Sequence, residues 1–154
     1  MSTTSGVYPC YENQFTINTA PAGQTAVESA IADCETFSVA FDNGVEEWHP
    51  FEQEGWVRRL LTAKGVTISV SAKRNQGDTG NDFVAGLAWK NGREAEATVT
   101  WNFPNGAKVV FNNAVINVTN AGSGDSTNVA PLEFEIQSNG KPVYTGPSGA
   151  TGTT

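Results

Sequence analysis

The sequence predicts a mainly β protein: an antiparallel β-sandwich or barrel with one flanking α-helix at about residues 80–90, a long loop at about 45–65 and an extended N-terminal arm. Three observations predict it. Apolar residues alternate with polar ones over several separate stretches, which is the period of a half-buried strand. Strong turn signals, Asp42-Asn43-Gly44, Asn105-Gly106 and Asn139-Gly140, punctuate those stretches. Only 16% of the residues are charged, and Gly, Thr, Asn and Val recur, a mix that suits strands and turns better than a helical bundle.

In chain order, residues 1–33 are polar, are broken at Tyr8-Pro9 and Pro21-Ala22-Gly23, and hold no sustained period, so they read as an arm rather than a core element. The first clear strand begins near Cys34, with Phe37, Val39 and Phe41 on one face. From Val45 to Gly65 the aromatics Trp48, Phe51 and Trp56 are scattered among acids and Arg58-Arg59. Trp56, Val57 and Leu60 fit a short helix over 56–62, and a long loop carrying aromatics to a partner fits equally. Val66, Ile68, Val70 and Ala72 then alternate as a second strand.

The helix rests on Phe83, Val84, Leu87 and Ala88, with Thr79 or Asn81 as its cap and Asn91-Gly92 as its stop. Ala95, Ala97, Val99, Trp101 and Phe103 form the outgoing strand of a hairpin that turns at Pro104-Asn105-Gly106. On the return, Val109 and Phe111 are out of phase with Ala114, Ile116 and Val118, which requires a bulge near Asn112-Asn113. Leu132, Phe134 and Ile136 point inward in the last strong strand. A flexible connector at 119–128 precedes it. The division is therefore an arm at 1–33, a β-sandwich domain at 34–145 and a flexible tail at 146–154.

A length of 154 residues suits one core. The net charge of −7 argues against ordinary nucleic-acid binding, which needs cations to replace counterions, though an acidic wall lets DNA slide past. Cys10 and Cys34 form no metal-site spacing and read as free thiols or buried small residues of a protein made in a reducing cytoplasm. There is no secretory pattern at the N-terminus and no apolar run of about 20 residues, so no membrane role is expected.

Chemistry finds little footing. His49, the one histidine, stands between Trp48 and Pro50 with no nucleophile motif nearby. Glu133 and Glu135 could be imagined as paired carboxylates of a glycosidase, but they fall on the polar face of an ordinary strand. Gly122-Ser123-Gly124-Asp125 lacks the ending of a phosphate loop and the spaced acids of a calcium loop. No enzyme, cofactor or metal is expected. Trp48, Phe51, Trp56 and the arginines beside them are the residue types that dominate interfaces, so the residues point to a self-associating module. Trp56 and Leu60 capping one end of the sandwich is the competing account. A monomeric β-sandwich that binds carbohydrate or protein through Trp48 and Trp56 is the alternative function.

Gly55-Trp56-Val57-Arg58-Arg59-Leu60, the segment from Lys73-Arg74-Asn75 through Gly80-Asn81-Asp82, and Gly124-Asp125-Ser126-Thr127 leading into Pro131-Leu132-Glu133-Phe134 resemble the major tail tube proteins of long non-contractile-tailed bacteriophages. The similarity runs from about Cys34 to Thr145. It implies a subunit of a virion tail, made in the host cytoplasm, that forms stacked hexameric rings through which DNA passes without specific binding. The inner strands of such rings join into one barrel. Implied partners are the chain itself and tape-measure, tail-tip and tail-terminator proteins; a tube from a phage-derived particle follows the same physics. On this resemblance Trp48, Phe51, Trp56, Val57, Arg58, Arg59 and Leu60 are candidates for subunit or inter-ring contact, and Glu96, Thr98, Thr100, Glu133 and Glu135 for the lumen.

Overall fold

Period-two alternation turns one side of most strands of the main sheet inward. The computed structural model describes residues 6–21 and 23–147, which contain ten strands and one α-helix. The expected tail lies outside the described residues from position 148 onward, as do the first five residues of the arm and Ala22. In chain order the elements are β1 (Gln14–Asn18), β2 (Glu28–Ala30), β3 (Cys34–Phe41), β4 (Gly44–Trp48), β5 (Arg58–Ala63), β6 (Val66–Lys73), α1 (Thr79–Leu87), β7 (Glu96–Asn102), β8 (Lys108–Ala121), β9 (Pro131–Gln137) and β10 (Val143–Thr145).

The main sheet runs β2-β1-β7-β8-β9-β6-β3, with β10 against β8, while β4 and β5 pair only with each other. Its two ends meet. Phe15 on β1 lies edge-on to Phe37 on β3 at 5.0 Å, and Trp101 on β7 reaches the same Phe37 at 5.6 Å. Strands at opposite ends of the sheet therefore face each other, and the sheet folds over into two layers. β8 is long enough to serve both: Lys108–Val115 pair with β7, and Val115–Ala121 pair with β9. The bend falls where the phase change requires it. Asn113 takes φ 54°, a left-handed conformation that Asn tolerates, and β8 gains one residue on β7 between the Val99↔Phe111 and Ala97↔Ala114 pairs.

Ile17, Ile68, Val99, Leu132, Phe134 and Ile136 fill the space between the layers and are fully buried. The alternation of β6 and β9 is borne out residue by residue. Helix α1 closes one side, burying Val84, Ala85 and Leu87. Its cap is Asp78, not Thr79 or Asn81: the Asp78 carboxylate accepts from the N–H of Asn81 at 2.9 Å and of Ala32 at 3.2 Å. Asn81 is instead wholly buried. Its amide donates to the carbonyls of Ala32 and Lys73, and its oxygen accepts from the Asn75 N–H and the Arg74 guanidinium, so every polar atom is satisfied. Gly80 permits this docking, because a Cβ there would meet the Ala30 carbonyl oxygen at 2.4 Å. The helix ends at Leu87, before Asn91-Gly92, and a short 3-10 turn at Gly92–Ala95 follows.

Two expectations are corrected. Residues 14–18 and 28–30, read as part of an arm, are strands of the main sheet, and Phe15 and Ile17 are core. Their apolar alternation spans only two positions, too short to stand out in a polar stretch. The segment 45–65 is neither a loop nor a helix at 56–62. It is the β4–β5 hairpin, closed at its tip by a 3-10 turn at Phe51–Gln53 and by Glu54 and Gly55 at φ 55° and 92°. Both of its faces meet solvent, so it carries no alternation for a burial pattern to reveal.

Candidate assembly surface

The hairpin gathers the candidate contact residues into one projecting element. Trp48 and Arg58 are directly opposed across it, with the Arg58 guanidinium 5.8 Å from the indole centroid. Arg59 is opposed to Glu47 and bonds it at 2.9 Å. Leu60 sits across from Glu46 on the Trp48 face, while Val45 and Leu61 are paired on the other. At the tip Phe51 is fully exposed, Trp56 is 76% exposed and His49 is exposed; Val57 is half-buried. Trp56 therefore caps no end of the sandwich. A two-stranded ribbon is marginal alone in water, and this one displays apolar side chains on both faces.

The second surface is the outer face of the layer formed by β8, β9, β6 and β3. Register places Ser38, Ser69, Glu135 and Asn117 in one row across it. Thr36, Ser71 and Glu133 make the next. Asn117 and Gln137 both donate to Glu135 Oε1, at 3.3 and 3.1 Å, and the Thr119 hydroxyl bonds the Glu133 carbonyl oxygen at 3.2 Å. The face holds a shallow depression of about 340 Å³ whose lining includes the hydroxyl residues Thr36, Ser38, Ser69, Ser71 and Thr119 and the carboxylates of Glu133 and Glu135. Glu133 and Glu135 stand side by side on it rather than across a cleft from each other, as flanking one bond would need.

Glu96, Thr98 and Thr100 are not brought to that face. They lie on β7 in the other layer, where the Thr100 hydroxyl is buried against Glu28 at 3.4 Å, Thr98 accepts from the Asn113 N–H at 3.5 Å and Glu96 accepts from Asn139 at 3.5 Å. Among the described residues no group of three or more His, Cys, Asp or Glu is placed to hold a metal, and no helix is long and apolar enough to cross a membrane. Both cysteines are free. Cys34 is exposed as a residue, yet its thiol turns inward to donate to the Ile31 carbonyl at 3.5 Å, and burial, with Asp33 and Asp78 nearby, raises its pKa to about 11.

Two features escaped the sequence. Trp89, just past α1, is 88% exposed. The other is a pair of open edges. β3 pairs only with β6, and β8 beyond Val115 pairs only with β9, so the four-stranded layer is unpaired on both sides among the described residues. No residue type marks an edge; topology creates it.

No protein-family model matches the sequence, and neither does any curated protein. Solved structures do. A chain from the tail of an empty gene transfer agent particle, refined helically with C6 symmetry, superposes with a TM-score of 0.69 at 16% identity, over 91% of this chain and 100% of that one. A chain from the virion of a native gene transfer agent particle gives 0.67 at 15% identity, over 91% and 100%. A third, from the sheath/tube terminator of an extracellular contractile injection system, PVC, in its extended state, gives 0.56 at 12% identity, over 92% and 99%. The chain shares its fold, over nearly its whole length, with these tail and injection-system proteins.

Proposed function

We propose that this chain is a tail tube subunit that assembles into stacked rings of six copies around a conduit for DNA. The observation that carries the reading is the four-stranded layer β8-β9-β6-β3, polar on its outer face and open at both edges. Neighbours within it are antiparallel and their number is even, so β3 of one copy can continue the alternation against β8 of the next. Repetition around a ring closes a barrel and removes every edge of that layer. Six is the symmetry of the gene transfer agent tail.

On this reading the serine, threonine and glutamate rows face the bore. Glu133 and Glu135 then present charge that repels phosphate, so that DNA slides instead of adhering. Glu96, Thr98 and Thr100, in the other layer, give up their place as lumen candidates. Trp48, Phe51 and Trp56 on the projecting hairpin contact the adjacent ring, a head-to-tail contact that does not close and so grows a filament. The site of action is a virion tail, phage or phage-derived, with tape-measure, tail-tip and tail-terminator proteins as the further partners. The β-sandwich is the assembling unit.

Negative-stain electron microscopy at rising protein concentration, with light scattering to follow mass, tests this. Rings or hollow tubes of one diameter are expected. A strict monomer at every concentration, including in mixture with a tail-tip fraction as nucleator, would overturn the proposal and favour a binding module that uses Trp48 and Trp56.

A further inference from the structure

Resting on the ring reading, we propose that the groove between the C-terminal end of α1 and β8 receives the base of the β4–β5 hairpin from the neighbouring copy in the same ring. Strand direction places the two together. β3 runs from Cys34 to Phe41 and there enters the hairpin, whose other strand returns to Val66 beside it. Thr67 pairs with Gln137, and Gln137 pairs with Val115, so Phe41 and Val115 lie at the same end of the four-stranded layer. When β3 adds antiparallel to the free edge of a neighbour's β8, Phe41 and the hairpin base arrive at that neighbour's Val115.

A receptor of matching chemistry stands at that point. The groove has a volume of about 570 Å³, an apolar lining from Leu87, Ala88, Val115 and Val118, and a wall that carries Lys90 and Arg93. Most of the other cations of the chain are engaged. Arg59, Lys73 and Arg74 pair with acids, Arg58 covers Trp48, and Lys64 bonds Asn43 and lies over Phe41. The side chains of Lys90 and Arg93 have no hydrogen bond or ion pair among the described residues, their backbones bonding Leu87 and Glu96. Lys108 and Lys141 also lack an ion pair, but neither lines the groove. Glu96 is the acid in the groove lining, and its carboxylate already accepts from Asn139.

The hairpin base offers the complement. Asp42 and Glu46 have no side-chain partner among the described residues, and beside them Phe41 and Val45 are exposed apolar groups that need cover. In an otherwise acidic chain, like-charged surfaces repel, so a pocket with two unengaged cations selects where the acidic hairpin of the next copy docks.

Charge reversal tests the pairing. Lys90→Glu with Arg93→Glu should raise the protein concentration at which wild-type-like rings half-assemble by about tenfold or more. The combined chain, with Asp42→Lys and Glu46→Lys added, should recover most of the loss, which also controls for folding. Independently, in a Cys10→Ser, Cys34→Ser background, Glu46→Cys with Arg93→Cys should give disulfide-linked oligomers up to the ring size under oxidation. Wild-type rings together with unaffected assembly of the reversed variant, or with rings that never cross-link, would overturn the groove pairing and leave the tube reading standing. A wild-type chain that makes no rings would overturn both.

Discussion

Trp56→Ala separates the stability of the subunit from that of the assembly. Trp56 is 76% exposed at the hairpin tip and contributes nothing to the core, so its loss should change the monomer's stability by no more than about 0.5 kcal/mol. If an adjacent ring covers it, roughly 150 Å² of indole leaves water on stacking, worth about 4 kcal/mol per copy at ~25 cal/mol/Å². Part of that is offset by ordering the hairpin. A net loss of about 2–3 kcal/mol per copy corresponds to a rise of about 30- to 150-fold in critical concentration. Light scattering on a concentration series measures that rise, and thermal unfolding of the dilute protein checks the fold. Tubes of Trp56→Ala at the wild-type critical concentration would refute the reasoning, because they would show that the tip meets nothing.

Other substitutions probe separate links. Asn81→Leu leaves the Ala32 and Lys73 carbonyls and the Asn75 N–H buried without their partner, and should cost about 3–5 kcal/mol, seen as a fall in Tm of roughly 10 °C. Gly80→Ala drives a methyl into the Ala30 carbonyl and should cost about 1–3 kcal/mol in a denaturant titration. Cys34, with its pKa raised from 9.0 to about 11, holds about 100-fold less thiolate at pH 8 than an ordinary thiol, so iodoacetamide should label it correspondingly slowly in a Cys10→Ser chain. Because the folded state keeps that proton more tightly, the same group takes stability away as pH climbs from about 9 to 11. Glu133→Lys with Glu135→Lys should leave rings intact but make them retain DNA at low salt, measured by co-sedimentation.

Where burial is one-sided, the sequence was legible. Leu132, Phe134 and Ile136 alternate with Glu133, Glu135 and Gln137 because one face meets the core and the other does not, and the bulge at Asn113 was readable as a break in phase. The hairpin was not, for the same reason inverted: with solvent on both sides of β4 and β5, burial imposes no period, and Trp56 and Leu60 fall four apart by accident. β1 failed differently. Phe15 is buried by the distant Trp101 and Phe37, and Ile17 is paired with Val99, tertiary matches that no local window contains. Asp78 rather than Asn81 caps α1 because the Ala32 N–H, far off in sequence, needs the same carboxylate. Of the candidate surface, residue type singled out the aromatics and Glu133 and Glu135; the open edges and the Lys90–Arg93 groove arise only from topology.

Those open edges raise the question of why free copies would stay apart. An eight-residue strand with one open edge invites any other strand, and β3 carries features that blunt that edge. Its register shifts between Cys34 and Thr36, and Glu35 and Lys73 hold an ion pair, at 3.0 Å, beside that irregular end. The charge of −7 per copy adds a general repulsion that falls as salt rises. On the proposed ring, closure would have to overcome both, and apolar cover from the hairpin together with the unengaged cations at the groove would act only when copies meet in one orientation. On that proposal the subunit would resist random edge pairing while keeping a single productive geometry, which is the property a tube needs if it is to grow from a nucleus and not wherever two copies collide.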